Sequence, residues 1–283
     1  MTSSETRYAE TSDHCFIAYR TIGSGSVNVA YVGSLPTQVE VLFEFEPCAR
    51  FWRDLSTSTR VIVHDRRGSG LSDRRVGLAN IETRANDLLA VLDSSGSATA
   101  VMFGTGDGGM VGAFLAAYYP ERVAGFIWYQ AAARCIRGPH WPYGDQPLSD
   151  RSLAEASREW GTQESIERQF GGQRPLPQDL TLWIAKMQRH FCGPGDSEQF
   201  LRLYEEGDVR EILPDIHVPT LVLDPAEPHD PSWRGMAEAT ADLIPGASLV
   251  RVAGTHFLWE HAEERIAIVN HFIGVWDAPI NRP

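Results

Sequence analysis

Hydrophobic residues fall into short runs over the first third of the chain. Arg7–Thr11, Cys15–Thr21 and Val27–Val32 read as three strands joined by turns, with Gly23-Ser24-Gly25 between the last two. The β-branched run Val61-Ile62-Val63 is a further short strand, ending in His64-Asp65-Arg66-Arg67-Gly68-Ser69-Gly70. At 81–94 the period becomes helical, with Ile81, Ala85, Leu88, Leu89 and Leu92 on one face. A strand at Ala98–Phe103 leads into a glycine-rich turn and a helix that runs through Tyr119 and stops at Pro120. Phe126–Tyr129 is again a strand. Strands alternating with helices predict right-handed crossovers and a mostly parallel sheet.

The rhythm breaks after residue 133. Residues 134 to about 215 carry several helical stretches and no convincing strand; Leu180–Phe191 is the clearest helix. Breaks at Gly171–Pro175 and Gly193-Pro194-Gly195 divide the region. The strand–helix order then resumes with a strand at Thr220–Leu223, a helix at Trp233–Leu243, a strand at Ser248–Val252 and a helix at Glu260–Ile273. This order predicts one α/β core, 1–133 with 216–283, and a helical cap inserted at 134–215.

Composition narrows the function classes. The chain has 283 residues, 43% of them apolar, enough for one large core and an insertion. Net charge is −12, and Lys186 is the single lysine. An acidic chain with no basic cluster points away from nucleic acid and anionic membranes. Cys15, Cys48, Cys135 and Cys192 lie far apart with no CxxC pair, which favours reduced thiols over a metal site or a disulfide framework. The polar run after Met1 does not read as a signal peptide, so the expected location is the cytoplasm. No metal, nucleotide or flavin is implied, and oligomerisation is possible but not indicated.

The glycine-rich turn is the chemically informative segment. Val101–Met110 (VMFGTGDGGM) has the strand–turn–helix layout of a nucleophile elbow, whose usual form is G-x-S-x-G. Gly104 and Gly108 stand at the small flanking positions, and Gly106 occupies the centre. Reading Asp107 as the nucleophile instead would require a one-residue shift. Counting back from Pro120 puts 106, not 107, at the centre.

Together these segments resemble the α/β-hydrolase superfamily over nearly the whole chain. Val61–Asp73 (VIVHDRRGSGLSD) resembles its D-x-R-G-x-G-x-S segment, Tyr119–Val123 the end of the helix behind the elbow, Val218–Leu223 the strand after the lid, and Gly254–Trp259 the loop of the catalytic histidine. Trp160-Gly161-Thr162 and Asp208–Pro214 are most similar to hydrolase-like modules beside bacterial nucleotide cyclase domains. The resemblance implies the α/β-hydrolase fold, a mostly parallel central sheet flanked by helices with an inserted helical cap. It also implies His256 as the acid–base residue, with an acid after Leu223 to orient it: Glu227, then Asp230, with Asp224 also in that loop. It implies an oxyanion hole from the N–H groups of Asp107 and Leu35. Ser34 stands where the family usually has glycine. Trp141, Tyr143 and Trp183 of the cap are candidates for the wall of an apolar substrate pocket.

Three functions fit. The first is an enzyme using His256 for general acid–base chemistry on a small, mostly apolar molecule without a serine acyl-enzyme: hydration, elimination, isomerisation or cyclisation. The second is a binding protein on a hydrolase scaffold. The third is an ester or lactone hydrolase whose nucleophile has been replaced at position 106, or one that uses Asp107.

Overall fold

The computed structural model describes residues 5–74, 79–171, 175–227 and 231–277. Eight strands form one sheet in the order β1-β2-β4-β3-β5-β6-β7-β8. They are β1 (Arg7–Glu10), β2 (Phe16–Ile22), β3 (Val27–Val32), β4 (Thr59–His64), β5 (Ala100–Thr105), β6 (Val123–Tyr129), β7 (Thr220–Pro225) and β8 (Ser248–Val252). The β1–β2 and β2–β4 pairings are antiparallel; all the others are parallel. This is an α/β-hydrolase architecture.

Both faces of the sheet are covered, which is why its central strands read as continuous apolar runs. Val61, Val63, Val101 and Phe103 face a layer built on α1 (Glu46–Leu55) and α9 (Ala262–Asp277). Ile62, Ala100 and Met102 face α2 (Ile81–Ser94), α3 (Gly108–Tyr118) and α8 (Met236–Ala241). Helix α1 is the element that the apolar pattern did not announce. Its signal is a proline at the first turn followed by Cys48, Phe51, Trp52 and Leu55 on the buried face. The predicted helix 233–243 is shortened to α8, because Pro231–Trp233 forms a separate 3₁₀ turn.

Between β6 and β7 lie α4 (Asp150–Arg158), α5 (Gln163–Phe170), α6 (Gln178–Phe191) and α7 (Pro194–Glu206). Residues 130–149 before α4 carry no helix, and isolated bridges are the only β structure in this stretch among the described residues. It is tied to the sheet side by Trp183, whose indole N–H donates to Val41 O at 2.7 Å, and by Gly70 N–H donating to Phe191 O at 2.7 Å.

Strand β3 sits between β4 and β5, so the chain leaves it in one direction and returns on the other side. Loops at the C-terminal ends of β3, β4 and β5 therefore converge at a topological switch point, the usual place for a site in an open parallel sheet. Close packing there requires glycine. A Cβ on Gly104 would lie 2.2 Å from Gly109 Cα, and one on Gly108 would lie 2.2 Å from Val32 O. A Cβ on Gly109 would lie 1.9 Å from Trp128 Nε1, a buried indole that donates to Gly106 O at 2.9 Å. Replacing Gly109 with alanine is therefore expected to destabilise the fold by about 3 kcal/mol through overpacking. Denaturant unfolding would show the loss as a lower midpoint.

Candidate active site

The turn after β5 is a tight elbow. Gly106 has φ +47°, in the left-handed region that glycine occupies at least cost. Its N–H donates to Tyr129 O at 3.1 Å, and its carbonyl accepts from Trp128, so the turn is fixed to β6 on both sides. Among the described residues, chain neighbours aside, a Cβ built on Gly106 would meet only Ser34, its Oγ at 3.1 Å and its Cβ at 3.4 Å.

Asp107 is buried just behind this point. Its Oδ1 accepts from Ser34 Oγ at 2.6 Å; its Oδ2 lies 2.9 Å from Arg66 Nη2 and 3.6 Å from Arg84 Nη1. Burial pushes the carboxyl upward, but Arg66, Arg84 and the Ser34 hydroxyl together outweigh it and hold it below the ordinary carboxylate range. Both oxygens are thus engaged by buried partners behind the elbow. The Arg66 guanidinium also donates to Gly33 O at 2.7 Å, locking the loop after β3. The N–H groups of Leu35 and Asp107 donate to no protein acceptor among the described residues. That of Ser34 is committed to Thr105 Oγ1 at 2.9 Å.

His256 lies on the loop after β8, and the loop is clamped from three sides. Arg265 of α9, only 1% exposed, donates to Phe257 O, to Ala253 O at 2.7 Å and to Thr255 O at 3.2 Å. Tyr129 OH donates to Thr255 O at 2.8 Å. Glu260 Oε2 accepts from Thr255 N–H at 2.6 Å and from its hydroxyl at 2.7 Å. Neither Arg265 nor Glu260 is among the site residues that the sequence pattern offers.

The His256 ring stacks at 6.0 Å on Phe170 of α5 and lies 4.0 Å from Phe257. It lines a cavity of about 500 Å³ with Phe45, Phe170, Leu180, Trp259, Glu227 and Glu260 among its walls. Glu227 shares this cavity and is anchored by its N–H to Gly254 O at 3.0 Å. Asp230 lies outside the described residues. Asp224 is half-buried at the end of β7, 4.0 Å from Arg251; burial raises its carboxyl, which Arg251 only partly offsets.

The aromatic wall differs from the expected one. Trp141 is buried, with its indole N–H donating to Arg134 O at 2.9 Å, and Tyr143 packs against it at 5.1 Å; neither lines the His256 cavity. Both belong to packing against the core, where a large ring with a satisfied donor is stable. Trp183 stands behind the wall, stacked on Phe45 at 5.1 Å and edge-on to Trp259 at 5.5 Å. The wall itself comes from Phe45, Phe170, Phe257 and Trp259, only the second of which belongs to the inserted helices.

A family model described as the alpha/beta hydrolase family matches residues 43–268. The chain belongs to that family. It is 29% identical over 174 residues to 3-oxoadipate enol-lactonase 2 of Acinetobacter baylyi, a match covering 59% of this chain and 61% of that enzyme. It is 30% identical over 222 residues to a protein of Azorhizobium caulinodans provisionally named a carbamate hydrolase, covering 72% of this chain and 78% of that one. In structure it is similar to an enol-lactonase from Burkholderia xenovorans LB400, with TM-score 0.75, 23% identity, and coverage of 95% of this chain and 100% of that one. The relatives establish a hydrolase-family scaffold; the glycine at 106 is read from this chain alone.

Two buried groups give the site a pH signature. Burial, reinforced by Arg66 and Arg84, pulls His64 down to about 3, whereas burial pushes Asp65 up to about 7 against the N–H groups of Leu71 and Val39. A neutral buried His64 binds fewer protons than its unfolded counterpart between about 3 and 6.5, so its contribution to stability falls as pH drops through that window. Asp65 acts in the opposite sense, losing stability as pH rises from 3.8 to about 7. A His64→Gln variant should therefore lose less stability than the parent between pH 6.5 and pH 4, measured by denaturant unfolding at each pH. Equal slopes would remove His64 as the cause.

Asp107→Ala should cost about 3–5 kcal/mol, because Arg66 and Arg84 would remain buried without their carboxylate. Thermal unfolding would reveal the loss.

Proposed function

We propose that this protein is an enzyme acting on a small, mostly apolar organic molecule through His256, by general acid–base chemistry and without a serine acyl-enzyme. The observation that carries the reading is the rigidly held His256 loop facing an aromatic-walled cavity of about 500 Å³. A neutral imidazole takes a proton near neutral pH and returns it later in the reaction. Glu227 is the favoured acid partner on the strength of its place in the same cavity, with Asp230 as the alternative and Glu260 holding the loop. The N–H groups of Leu35 and Asp107 are suited to receive a developing oxyanion. Residues 134–215 serve as the cap.

The names of the relatives suggest where such chemistry would be used. Lactone and carbamate hydrolysis both add water to an acyl group. In a chain with glycine at 106, water itself attacks. Its proton passes to His256, its oxygen bonds to the carbonyl carbon, and the leaving group departs with the proton that His256 returns. Hydration, elimination, isomerisation and cyclisation use the same proton transfers. No described helix is long and apolar enough to cross a membrane.

A binding protein is the second reading, favoured by an aromatic-walled cavity in a chain whose elbow carries no side chain. The replaced-nucleophile reading is weakened by Ser34, since a serine Cβ at 106 would crowd its hydroxyl at 3.1 Å.

Turnover of a panel of small aromatic esters, lactones and epoxides separates these readings. His256→Ala should lower kcat by about 100-fold or more, and a fluorophosphonate should label no serine at the elbow. Undiminished turnover in His256→Ala would overturn the proposal. Binding without turnover in the parent would favour the second reading.

A further inference from the structure

The two departures from the family pattern, glycine at 106 and serine at 34, are neighbours in space. Among the described residues, chain neighbours aside, only the Ser34 side chain comes within 4 Å of where a Gly106 side chain would begin, and its hydroxyl is the nearest polar atom at 3.1 Å. Its direction is fixed. Asp107 Oδ1 is 2.6 Å away, and that carboxylate is paired with Arg66 and Arg84. An ionised carboxylate only accepts hydrogen bonds, so Ser34 must donate to it. A hydroxyl has one proton and two lone pairs. With its proton spent on Asp107, Ser34 Oγ presents lone pairs alone to the space over Gly106.

We propose that Ser34 is a positioning residue that accepts a hydrogen bond from a water molecule seated over Gly106, holding it where a nucleophile side chain would stand. This rests on the His256 reading for its catalytic meaning, but the binding of the water does not. Held by one O–H, the water keeps its second proton for the base and a lone pair for the substrate carbon. The same polarity makes the position unsuited to a carbonyl oxygen or an oxyanion, which would face lone pairs. Such an oxygen is left to the Leu35 and Asp107 N–H groups.

Two measurements test the assignment. A crystal structure of the parent, refined to better than about 1.8 Å, should show a water within hydrogen-bond distance of Ser34 Oγ over Gly106 Cα. That water should be lost in Ser34→Ala and kept in Ser34→Thr and in His256→Ala. Its absence from the parent, or its persistence in Ser34→Ala, would overturn the proposal whether or not the protein turns over any probe. With p-nitrophenyl acetate as the probe, Ser34→Ala should lower kcat about tenfold while KM stays nearly constant, and Ser34→Thr should restore it. His256-dependent turnover that is unchanged in Ser34→Ala would also overturn it. Loss of the His256 dependence alone would instead count against the His256 reading and leave the crystallographic result to decide the role of Ser34.

Discussion

One buried carboxylate, Asp107, joins the parts of the elbow that come from separate strands. It receives the Ser34 hydroxyl from the loop after β3, the Arg66 guanidinium from the loop after β4, and Arg84 from α2, while itself beginning α3. An ion cluster this deep is costly to desolvate and stabilises only when every oxygen is used. Here the carboxylate oxygens are used, and Arg66 spends a further donor on Gly33 O. The geometry of the β3 loop is thereby tied to the elbow, and the two N–H groups suited to an oxyanion hole are held in relation to each other. The glycine contacts around Gly104, Gly108 and Gly109 set how near the helix comes to the sheet. Asp107 sets what surrounds its start.

The histidine loop is built by a different device. Its peptide carbonyls converge on Arg265, with Tyr129 and Glu260 completing the hold. Arg265 also lies over the Tyr129 ring at 5.2 Å, so one guanidinium serves as hydrogen-bond donor and as packing surface. Because β6 supplies both Tyr129, which holds the His256 loop, and Trp128, which holds Gly106 O, the two halves of the site share one strand as reference. Rigid support of this kind is what acid–base chemistry needs, since proton transfer depends on short, well-aligned distances.

Much of the fold was readable from period alone. The helix 81–94 and the strands 27–32 and 248–252 match the observed bounds, because each is closed off by a turn or capping signal in the sequence. Helix α1 escaped because its apolar stripe, Cys48, Phe51, Trp52 and Leu55, is short and follows a turn-rich stretch. In the site, the elbow was legible since its glycines are spaced by backbone contact rather than by side-chain chemistry. Trp141 and Tyr143 were not separable from pocket residues in sequence: an aromatic ring suits a core and a cavity wall equally, and only the acceptor found by the Trp141 indole decides. Arg265 was invisible because its partners are carbonyls, which carry no side-chain identity.

The same logic bears on Gly106. A missing side chain by itself says only that an acyl-enzyme on that residue is closed. What replaces it depends on the polarity of the neighbouring surface, and that polarity is set two contacts away. Arg66 and Arg84 keep Asp107 ionised; an ionised Asp107 takes the proton of Ser34; and Ser34 then offers only lone pairs to the elbow. Groups that donate are welcomed there and groups that accept are not. On the proposed reading, the elbow thus gains a position that favours a hydrogen-bond donor, beside the Leu35 and Asp107 N–H groups, which favour an acceptor. Water attacking a polarised carbon satisfies both, with its oxygen approaching from one side and the carbonyl oxygen held on the other. This pairing of opposite preferences across one elbow makes a glycine at 106 chemically compatible with the proposed water-based chemistry.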